Sequence, residues 1–307
     1  MQRRLPRARL WRGAGWLAGV PLTPARRTTR LVMMDLDLMT FNIRYANRRD
    51  GVNAWPKRRE MAYEVIRDAN PDVLGLQEAL RSQLDDLRGA LPYAELGVGR
   101  NDGAETGEYA AILYNADRFD VDESGTFWLS DTPEVPGSRS FGNVVVRICT
   151  WARLVEKSSG RGFYLFNTHL DHESQPSRAR SVELIADRIA KRSHPDPVFL
   201  TGDFNAGESN QAVLYIKGEA ARASEGTAPA PSPPGLVDTF RVLHPNEAPV
   251  GTFHGFSGAE GGEKIDFIFA QPAPVTEVLL ARILRDNRDG LYPSDHFPVT
   301  ARLRLQP

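Results

Sequence analysis

Short apolar segments alternate with amphipathic ones from Asp35 to the end of the chain, and this alternation limits the folds that the chain can adopt. The segment LDLMTFNI, residues 36–43, predicts a strand. The segment KRREMAYEVIRDAN places Met61, Val65 and Ile66 on one stripe and predicts an amphipathic helix. Further strands are predicted at DVLGLQE, AAILYN, VVVRICTWARLV, FYLFNTHL, PVFL, KIDFIFA, VTEVLLARIL and FPVTARLRL, and further helices at 82–90, 177–192 and 208–217. Hairpins mixed with helices predict an α/β (α+β) fold of two packed mixed β-sheets flanked by helices.

The composition of the chain changes at two places. Residues 1–32 have a basic front and a short, glycine-interrupted apolar centre without periodicity. We expect a disordered or spurious tail there, with a natural start at Met33 or Met34, and the alternative is a poor secretion signal. Residues 221–235, ARASEGTAPAPSPPG, are rich in Pro, Ala and Ser and predict a mobile surface insertion. We therefore expect a single domain over residues 35–305.

Charge and cysteine content exclude several classes of protein. Residues 1–30 contain eight Arg and no acidic residue, which leaves 30 basic against 39 acidic side chains, a net charge of −9, in the rest. A body this acidic lacks the general positive charge of a nucleic-acid binder, although a local basic patch stays open. No segment approaches the roughly 20 apolar residues that span a membrane. The single cysteine, Cys149, excludes an intramolecular disulfide and favours a reducing, cytoplasmic location.

Predicted strands repeatedly end in a polar residue whose side chain can take part in catalysis. In GDFNA, Asp203 and Asn205 are two positions apart, so both face one side of an extended chain. Each such residue also has a structural explanation, for example a turn for Asn42 and a cap for Asp295. Side chains at like ends of strands, however, collect in one crevice, where α/β folds bind ligands. The residues concerned are Asn42, Glu78, His169, Asp203, Asn205, Asp266, Asp295 and His296.

The chemistry of these side chains points to one class of reaction. Carboxylates and carboxamides suit a hard divalent ion such as Mg²⁺, and the sequence has no Cys/His spacing typical of a structural zinc site. Two histidines with acids nearby supply proton transfer. The residues therefore predict metal-assisted attack of water on a phosphate ester.

Six motifs in a fixed order connect the chain with a known family. TFNIR, LGLQE, NTHLDH, TGDFNA, KIDFIF and SDHFPV resemble the motifs of the endonuclease/exonuclease/phosphatase superfamily. That superfamily includes pancreatic-type deoxyribonuclease, apurinic endonucleases, neutral sphingomyelinases, inositol polyphosphate 5-phosphatases and deadenylases. The resemblance covers residues 35–305 and implies a deoxyribonuclease I-like four-layer sandwich. WPKRRE, RICTWARL and GTFHGF are most similar to a bacterial branch near the deadenylases.

The resemblance also implies which residues hold a metal ion. Glu78 would be the principal ligand of Mg²⁺, helped by Asn42 and Asp295, with Mn²⁺ as a possible substitute. Apurinic endonucleases carry an acid two residues after the motif asparagine, where this chain has Arg44. A second metal site that depends on that acid is therefore not implied.

The catalytic roles implied by the resemblance fall to the remaining motif residues. Asp203 and Asn205 align or deprotonate the attacking water and hold the phosphoryl oxygens. His296 contacts the phosphate and is oriented by Asp266, as a carboxylate fixes the tautomer of an imidazole. The second catalytic histidine and its expected carboxylate partner are His169 and Glu108.

Residues outside these roles are candidates for substrate binding. In deadenylase-like relatives the TFHGF region meets the leaving group, and its aromatic rings can stack on a base or a sugar. Arginine suits bidentate phosphate binding. The rings could equally pack a loop, and the arginines could equally form salt bridges. The candidates are Arg58, Arg147, His172, Phe253, His254 and Phe256.

The function expected from these observations is that of a Mg²⁺-dependent phosphoesterase, acting as a monomer on a small phosphorylated metabolite or nucleotide. A nuclease would need a basic channel beside the site, which the acidic body disfavours. A sphingomyelinase-like phosphodiesterase would need apolar membrane-anchoring loops or an export signal. A binding module with a degenerate site is opposed by the complete set of motif residues.

Overall fold

The computed structural model describes residues 33–225 and 230–306. Within them the chain forms twelve strands, five α-helices and one 3-10 helix. The strands are β1 (Met34–Asn42), β2 (Val73–Gln77), β3 (Ala94–Leu96), β4 (Ile112–Tyr114), β5 (Phe119–Trp128), β6 (Ile148–Glu156), β7 (Gly162–His169), β8 (Val198–Asp203), β9 (Val237–Asp238), β10 (Asp266–Ala270), β11 (Thr276–Ile283) and β12 (Val299–Leu305). The α-helices are α1 (Trp55–Ala69), α2 (Arg81–Ala90), α3 (Gln175–Ala190), α4 (Gln211–Lys217) and α5 (Thr239–Leu243), and the 3-10 helix is Arg48–Asn53.

The strands form two six-stranded mixed sheets. The first has the order β11-β12-β1-β2-β4-β3, and the second has the order β5-β6-β7-β8-β10-β9. One parallel pair lies at the centre of each sheet, β1 with β2 and β7 with β8. The other pairs are antiparallel, including the hairpin of β6 and β7 that EKSSGRG predicts. Two mixed sheets with flanking helices confirm the predicted fold class.

The four layers follow from the alternation of side chains along each strand. In β7, Phe163 and Leu165 face the space between the sheets, while Tyr164 and Phe166 face α3 and α4. Successive side chains of a strand point to opposite faces, so a strand covered on both faces is apolar throughout. The helices α1 and α2 pack against the outer face of the first sheet in the same way. The molecule therefore has three apolar layers of packing, one between the sheets and one under each helical layer.

A small polar cluster interrupts the apolar layer between the sheets, below the ends of β1 and β2. Gln77 Nε2 donates to Asn167 Oδ1 at 2.7 Å, and Thr201 Oγ1 donates to the same oxygen at 3.1 Å. Gly75 lies against this cluster, and a Cβ atom there would come within 2.5 Å of Asn167 Oδ1. Glycine is required because the two sheets approach closely at this point.

The strand β5 shows why some elements are missing from the sequence prediction. It lies at the edge of the second sheet and exposes or half-exposes most of its acidic residues. Asp, Glu and Gly are depleted in strands, so FDVDESGTFW carries a weak strand signal. Its pairing with β6 is a tertiary effect that the local sequence does not display.

The helix α4 begins later than the sequence predicts, at Gln211 rather than at 208. Asn210 caps it by accepting a hydrogen bond from the Ala212 N–H at 2.9 Å. The sequence also allows a structural role in which Asn205 or Ser209 caps the helix predicted at 208–217, and this alternative is wrong. Asn205 instead lines the cavity described below.

The predicted mobile insertion, 221–235, lies partly outside the described residues, which omit 226–229. Its described flanks are anchored. Glu183, on α3, accepts hydrogen bonds from the Ser224 N–H and hydroxyl, and Tyr215 donates to the carbonyl of Pro231. The predicted tail, 1–32, lies outside the described residues. Across 33–225 and 230–306, no helix is both long enough and apolar enough to cross a bilayer.

Candidate active site

A cavity of 640 Å³ opens where β1, β2, β7 and β8 end and β10 begins. Besides Phe256 in a later loop, three lining residues that follow strands have left-handed backbone conformations uncommon outside glycine: Arg44 (φ 53°), Glu78 (φ 61°) and Asn205 (φ 47°). Each lies one or two residues beyond the end of a strand. Such conformations cost about 1–3 kcal/mol each, and their presence marks sites where strain serves a function.

One side of the cavity is an acidic wall formed by Asp50, Glu78 and Asp295 around Arg44. The Arg44 guanidinium binds Asp50 at 3.2 Å and lies 3.8 Å from Glu78 Oε2 and 3.7 Å from Asp295 Oδ2. The three carboxylates therefore share one small region. Burial raises the pKa of Asp295, and Glu78 raises it further, because a second negative charge nearby disfavours ionisation.

Asn42 connects the acidic wall with the centre of the cavity. Its Nδ2 donates to Glu78 Oε1 at 3.2 Å and to Asp203 Oδ2 at 2.9 Å, while its Oδ1 accepts from the Arg44 N–H at 3.0 Å. The side chain thus holds two carboxylates in place through its nitrogen. Its predicted direct ligation of a metal through Oδ1 stays a prediction.

At the centre, His296 lies between two buried carboxylates. Its Nδ1 is 2.9 Å from Asp266 Oδ2, and its Nε2 is 3.7 Å from Asp203 Oδ2. Burial alone would lower the pKa of His296, but the two carboxylates outweigh it and the pKa is raised. Burial, followed by Asp266, raises the pKa of Asp203. The pairing of β8 with β10 places Asp203 opposite Asp266, which explains why these groups meet.

Asn205 and His169 form the next contact across the centre. Asn205 Nδ2 is 2.9 Å from His169 Nε2 and donates to the carbonyl of Leu170 at 3.0 Å, while its N–H donates to Asp203 Oδ1 at 2.8 Å. Asp203 and Asn205 both line the cavity, although the extended strand ends at Asp203. Phe204 between them is fully buried.

A further part of the cavity lining is a basic wall formed by Arg100, Arg147, His169 and His172. Glu108 binds Arg100 with two hydrogen bonds of 2.6 and 2.8 Å. Among the described residues, Nδ1 of His169 has no hydrogen-bond partner. The predicted pairing of Glu108 with His169 is therefore wrong for this structure, because Arg100 competes for the carboxylate. Burial, and then Arg147 and Arg100, lower the pKa of His169 well below its usual value.

Arg147 is buried in this wall, with only 4% of its surface exposed. Its Nη2 is 3.0 Å from Nδ1 of His172, whose side chain is about half exposed, and its Nε is 3.9 Å from Asp171 Oδ2. Its Nε and Nη1 form no hydrogen bond within the part of the chain that the structure describes. Both Arg147 and His172 line the cavity, as their predicted role requires.

Arg58 occupies a different position from the one predicted for it. Its guanidinium donates to the carbonyls of Asn53, Ile43, Pro293 and Arg44 at 2.6 to 2.8 Å. It lies behind the acidic wall rather than among the residues that line the cavity. The prediction that Arg58 clamps a phosphate is not supported, because its donors are already used by the backbone.

The TFHGF segment divides between the cavity and the scaffold. Phe253 is 51% exposed, lines the cavity and contacts the His296 ring at 5.0 Å between centroids, and Phe256 also lines the cavity. His254 is buried instead, stacks on Phe297 at 4.1 Å and accepts a hydrogen bond from the Gly258 N–H. The predicted substrate contact of His254 is not supported. Its pKa is lowered to about 4, chiefly by burial.

Comparison with known proteins agrees with this geometry. The model of the endonuclease/exonuclease/phosphatase family matches residues 39–296. The chain belongs to this family. Its members are hydrolases of phosphoester bonds and generally depend on a divalent metal.

Solved structures of the family resemble the chain over nearly its whole length. An endonuclease/exonuclease/phosphatase from Bacteroides vulgatus is 35% identical with a TM-score of 0.78, covering 89% of this chain and 100% of that chain. A mannosyl-6-phosphatase from Bacteroides thetaiotaomicron is 33% identical with a TM-score of 0.76, covering 87% and 99%. An uncharacterised protein of Acanthamoeba polyphaga mimivirus is 30% identical over 172 residues, 51% of this chain. The chain spans only about three fifths of the length of this curated relative (61%).

The acidic wall fits the divalent metal that family members generally require. Three carboxylates surround a single guanidinium there, and Glu78 and Asp295 approach the same cationic group within 4 Å. Oxygen donors of this kind suit a hard cation. A second group, Asp203, Asp266 and His296, has possible ligand atoms within 4.8 Å of one another. There the imidazole is already bound to Asp266, so Glu78 and Asp295 are the residues better placed to hold a metal ion.

Sequence reasoning missed several residues of the site. Arg44 received no role in the site from the sequence, although its position just after the strand that carries Asn42 is a signal that could have placed it in the cavity. Asp50 and Arg100 lie in a 3-10 helix and a loop, where no periodicity indicates which way a side chain points. Only the tertiary structure brings them to the cavity.

Proposed function

We propose that the protein is a Mg²⁺-dependent phosphatase that removes the phosphoryl group from a small phosphorylated metabolite. The observation that carries this proposal is the arrangement of the cavity. An acidic wall suited to a cation and a basic wall suited to an anion line the same cavity as Asp203, Asn205 and His296. A phosphate ester with its metal ion fits such a division of charge.

The residues at the centre supply the proton chemistry. Asp203 is buried, its pKa is raised, and Asn42 and the Asn205 N–H hold its two oxygens in fixed positions. A carboxylate with a raised pKa is a better general base at neutral pH. We assign Asp203 to taking a proton from the attacking water, and Asn205 to orienting the phosphoryl group.

His296 stabilises the charge that develops on the phosphoryl group. The hydrogen bond to Asp266 orients the ring and favours the imidazolium form, whose Nε2–H is directed towards Asp203 Oδ2, 3.7 Å away. A positive group held in a buried site contributes strongly to such stabilisation, since little water screens it. When bound on the acidic wall, the metal adds Lewis-acid polarisation of the phosphate.

Two observations support a small substrate and a phosphatase rather than a nuclease. The chain is similar to a mannosyl-6-phosphatase over 87% of its length. The chain after residue 30 is acidic, and the basic residues that line the cavity form a local wall rather than a long channel. The exposed ring of Phe253 offers a surface on which a sugar or base of the leaving group can pack.

The test is a screen of the purified protein against sugar monophosphates, nucleotides and phosphate diesters, with Mg²⁺, Mn²⁺ or a chelator. We expect release of inorganic phosphate from small monoesters with Mg²⁺ and loss of turnover in the chelator. The Asp203→Asn variant serves as the control for contaminating phosphatase. Turnover that ignores the chelator, or that persists in the control, would refute the proposal.

A further inference from the structure

Arg147 is a buried arginine whose hydrogen-bonding capacity is largely unused. Its Nε and Nη1 have no partner within the described residues, and its Nη2 meets only the ring nitrogen of His172, a side chain about half exposed to solvent. A buried guanidinium without hydrogen bonds is costly, because each N–H loses its contact with water. Proteins tolerate such a cost at sites where a bound ligand supplies the missing acceptors.

The position of Arg147 identifies which part of a substrate could supply them. It lines the cavity together with His169, and its charge is the largest electrostatic influence on that histidine after burial. His169 in turn contacts Asn205, which binds Asp203. Arg147 therefore lines the same cavity as the proposed reacting groups and is close enough to His169 to influence its charge.

The unpaired donors near Arg147 point to an acceptor with negative charge. Nδ1 of His169 also lacks a hydrogen-bond partner among residues 33–225 and 230–306. Asp171 is the nearest carboxylate to Arg147, and at 3.9 Å from Nε it is too far away to accept a hydrogen bond. The terminal phosphoryl group of a monoester offers three non-bridging oxygens and two negative charges. The phosphorus of a diester offers only two such oxygens and one charge.

We propose that Arg147 binds a non-bridging oxygen of the transferred phosphoryl group and makes the site select phosphate monoesters over diesters. Arg147 is thus a specificity-determining residue of the basic wall, in the same cavity as Glu78 and Asp295. The inference rests on the proposed phosphatase function, and it adds the ester class and the residue that selects it.

The experiment compares two substrates with one leaving group, p-nitrophenyl phosphate and methyl p-nitrophenyl phosphate, with Mg²⁺ present. For Arg147→Gln we expect kcat/KM for the monoester to fall about a hundredfold, and that for the diester by less than about threefold, as expected for a lost contact to transition-state charge. For Arg147→Lys, we expect the fall in kcat/KM for the monoester to lie between these two factors. The matched control is Arg153→Gln. Arg153 lies on β6, the strand that begins directly after Arg147, but it pairs with Asp122 and Asp196 outside the cavity, and its replacement should leave the ratio unchanged.

Binding gives a second readout that does not depend on turnover. Calorimetry should show that Arg147→Gln weakens the binding of inorganic phosphate by at least about tenfold and hardly changes the binding of dimethyl phosphate. If Arg147→Gln does not fold, Arg147→Lys decides through the same ratios. Equal losses for monoester and diester, or a preference of the wild type for the diester, would overturn the role of Arg147. A wild type without turnover of any phosphate ester would instead refute the proposed function, and phosphate binding would still decide the role of Arg147.

Discussion

Arg58 and Arg147 are both almost fully buried, with 1% and 4% of their surfaces exposed, yet their surroundings differ completely. Arg58 gives its hydrogen bonds to four backbone carbonyls, while Arg147 leaves two of its nitrogen atoms without an acceptor in the described chain. The first arginine is part of the scaffold and the second is open to a ligand. In this molecule, the satisfaction of polar groups separates scaffold from site better than burial does.

The scaffold role of Arg58 can be stated in terms of the loops that it joins. It links the carbonyls of Ile43 and Arg44, which follow β1, with that of Pro293, two residues before Asp295. The Ser294 hydroxyl adds a further bond, to the carbonyl of Asn42. These contacts hold together the two loops that carry the acidic wall.

The largest expected effect belongs to a residue that faces the cavity. Glu78→Gln should lower turnover by about a thousandfold with Mg²⁺, because a charged oxygen ligand is replaced by a neutral one. Its free energy of unfolding should stay close to that of the wild type. Calorimetric titration of Mg²⁺ should show weakened binding. Wild-type turnover at saturating Mg²⁺ would remove Glu78 from the metal site.

Arg58 should show the opposite pattern, a loss of stability. Arg58→Met leaves buried carbonyls without donors, and we expect the free energy of unfolding to fall by about 3 kcal/mol. Arg147→Met should change it by less than about 1 kcal/mol, because few hydrogen bonds are lost. Urea unfolding of the two variants measures both values. Similar losses in the two variants would contradict the distinction between them.

The pair of His296 and Asp266 sharpens the comparison within the site. His296→Ala should cost at least about a hundredfold in kcat, and Asp266→Asn somewhat less, since the imidazole remains but can adopt the wrong tautomer. The double variant should be barely slower than His296→Ala, because the two residues act as a unit. Multiplicative losses would show that Asp266 has a separate role.

The smallest effect distinguishes His254, a scaffold histidine, from the histidines of the cavity. Its folded pKa of about 4 lies below the unfolded value, so below pH 6.5 the unfolded chain takes up a proton that the folded protein does not. Its contribution therefore destabilises the fold progressively as the pH falls from 6.5 towards 4. His254→Asn should reduce this decline while keeping kcat near that of the wild type. Unfolding curves at pH 7 and pH 5 provide the measurement, and parallel declines in both proteins would argue against the assignment.

The sequence predicts the parts of this structure that local patterns encode. The alternation along β7 and the polar residue at the end of β8 follow from a period of two and from the break in an apolar run. The different roles of Arg58, in WPKRRE, and Arg147, in VVVRICT, do not, because no local pattern shows which of their donors the fold will satisfy. What separates them is contact with distant residues, such as the Pro293 carbonyl, 235 positions from Arg58. The predicted pairing of Glu108 with His169 is wrong for a similar reason, since Arg100 comes close to Glu108 only through the fold of a loop.

Hydrolysis in water labelled with ¹⁸O tests most directly whether the cavity directs water to phosphorus. The wild type and Asp203→Asn each hydrolyse a small sugar monophosphate with Mg²⁺, and mass spectrometry measures the ¹⁸O content of the products. We expect one ¹⁸O atom in each inorganic phosphate and none in the sugar, with release at least about a hundredfold slower in the variant. Label in the sugar, or equal rates in the two proteins, would contradict the assignment of Asp203 as the base that activates the water.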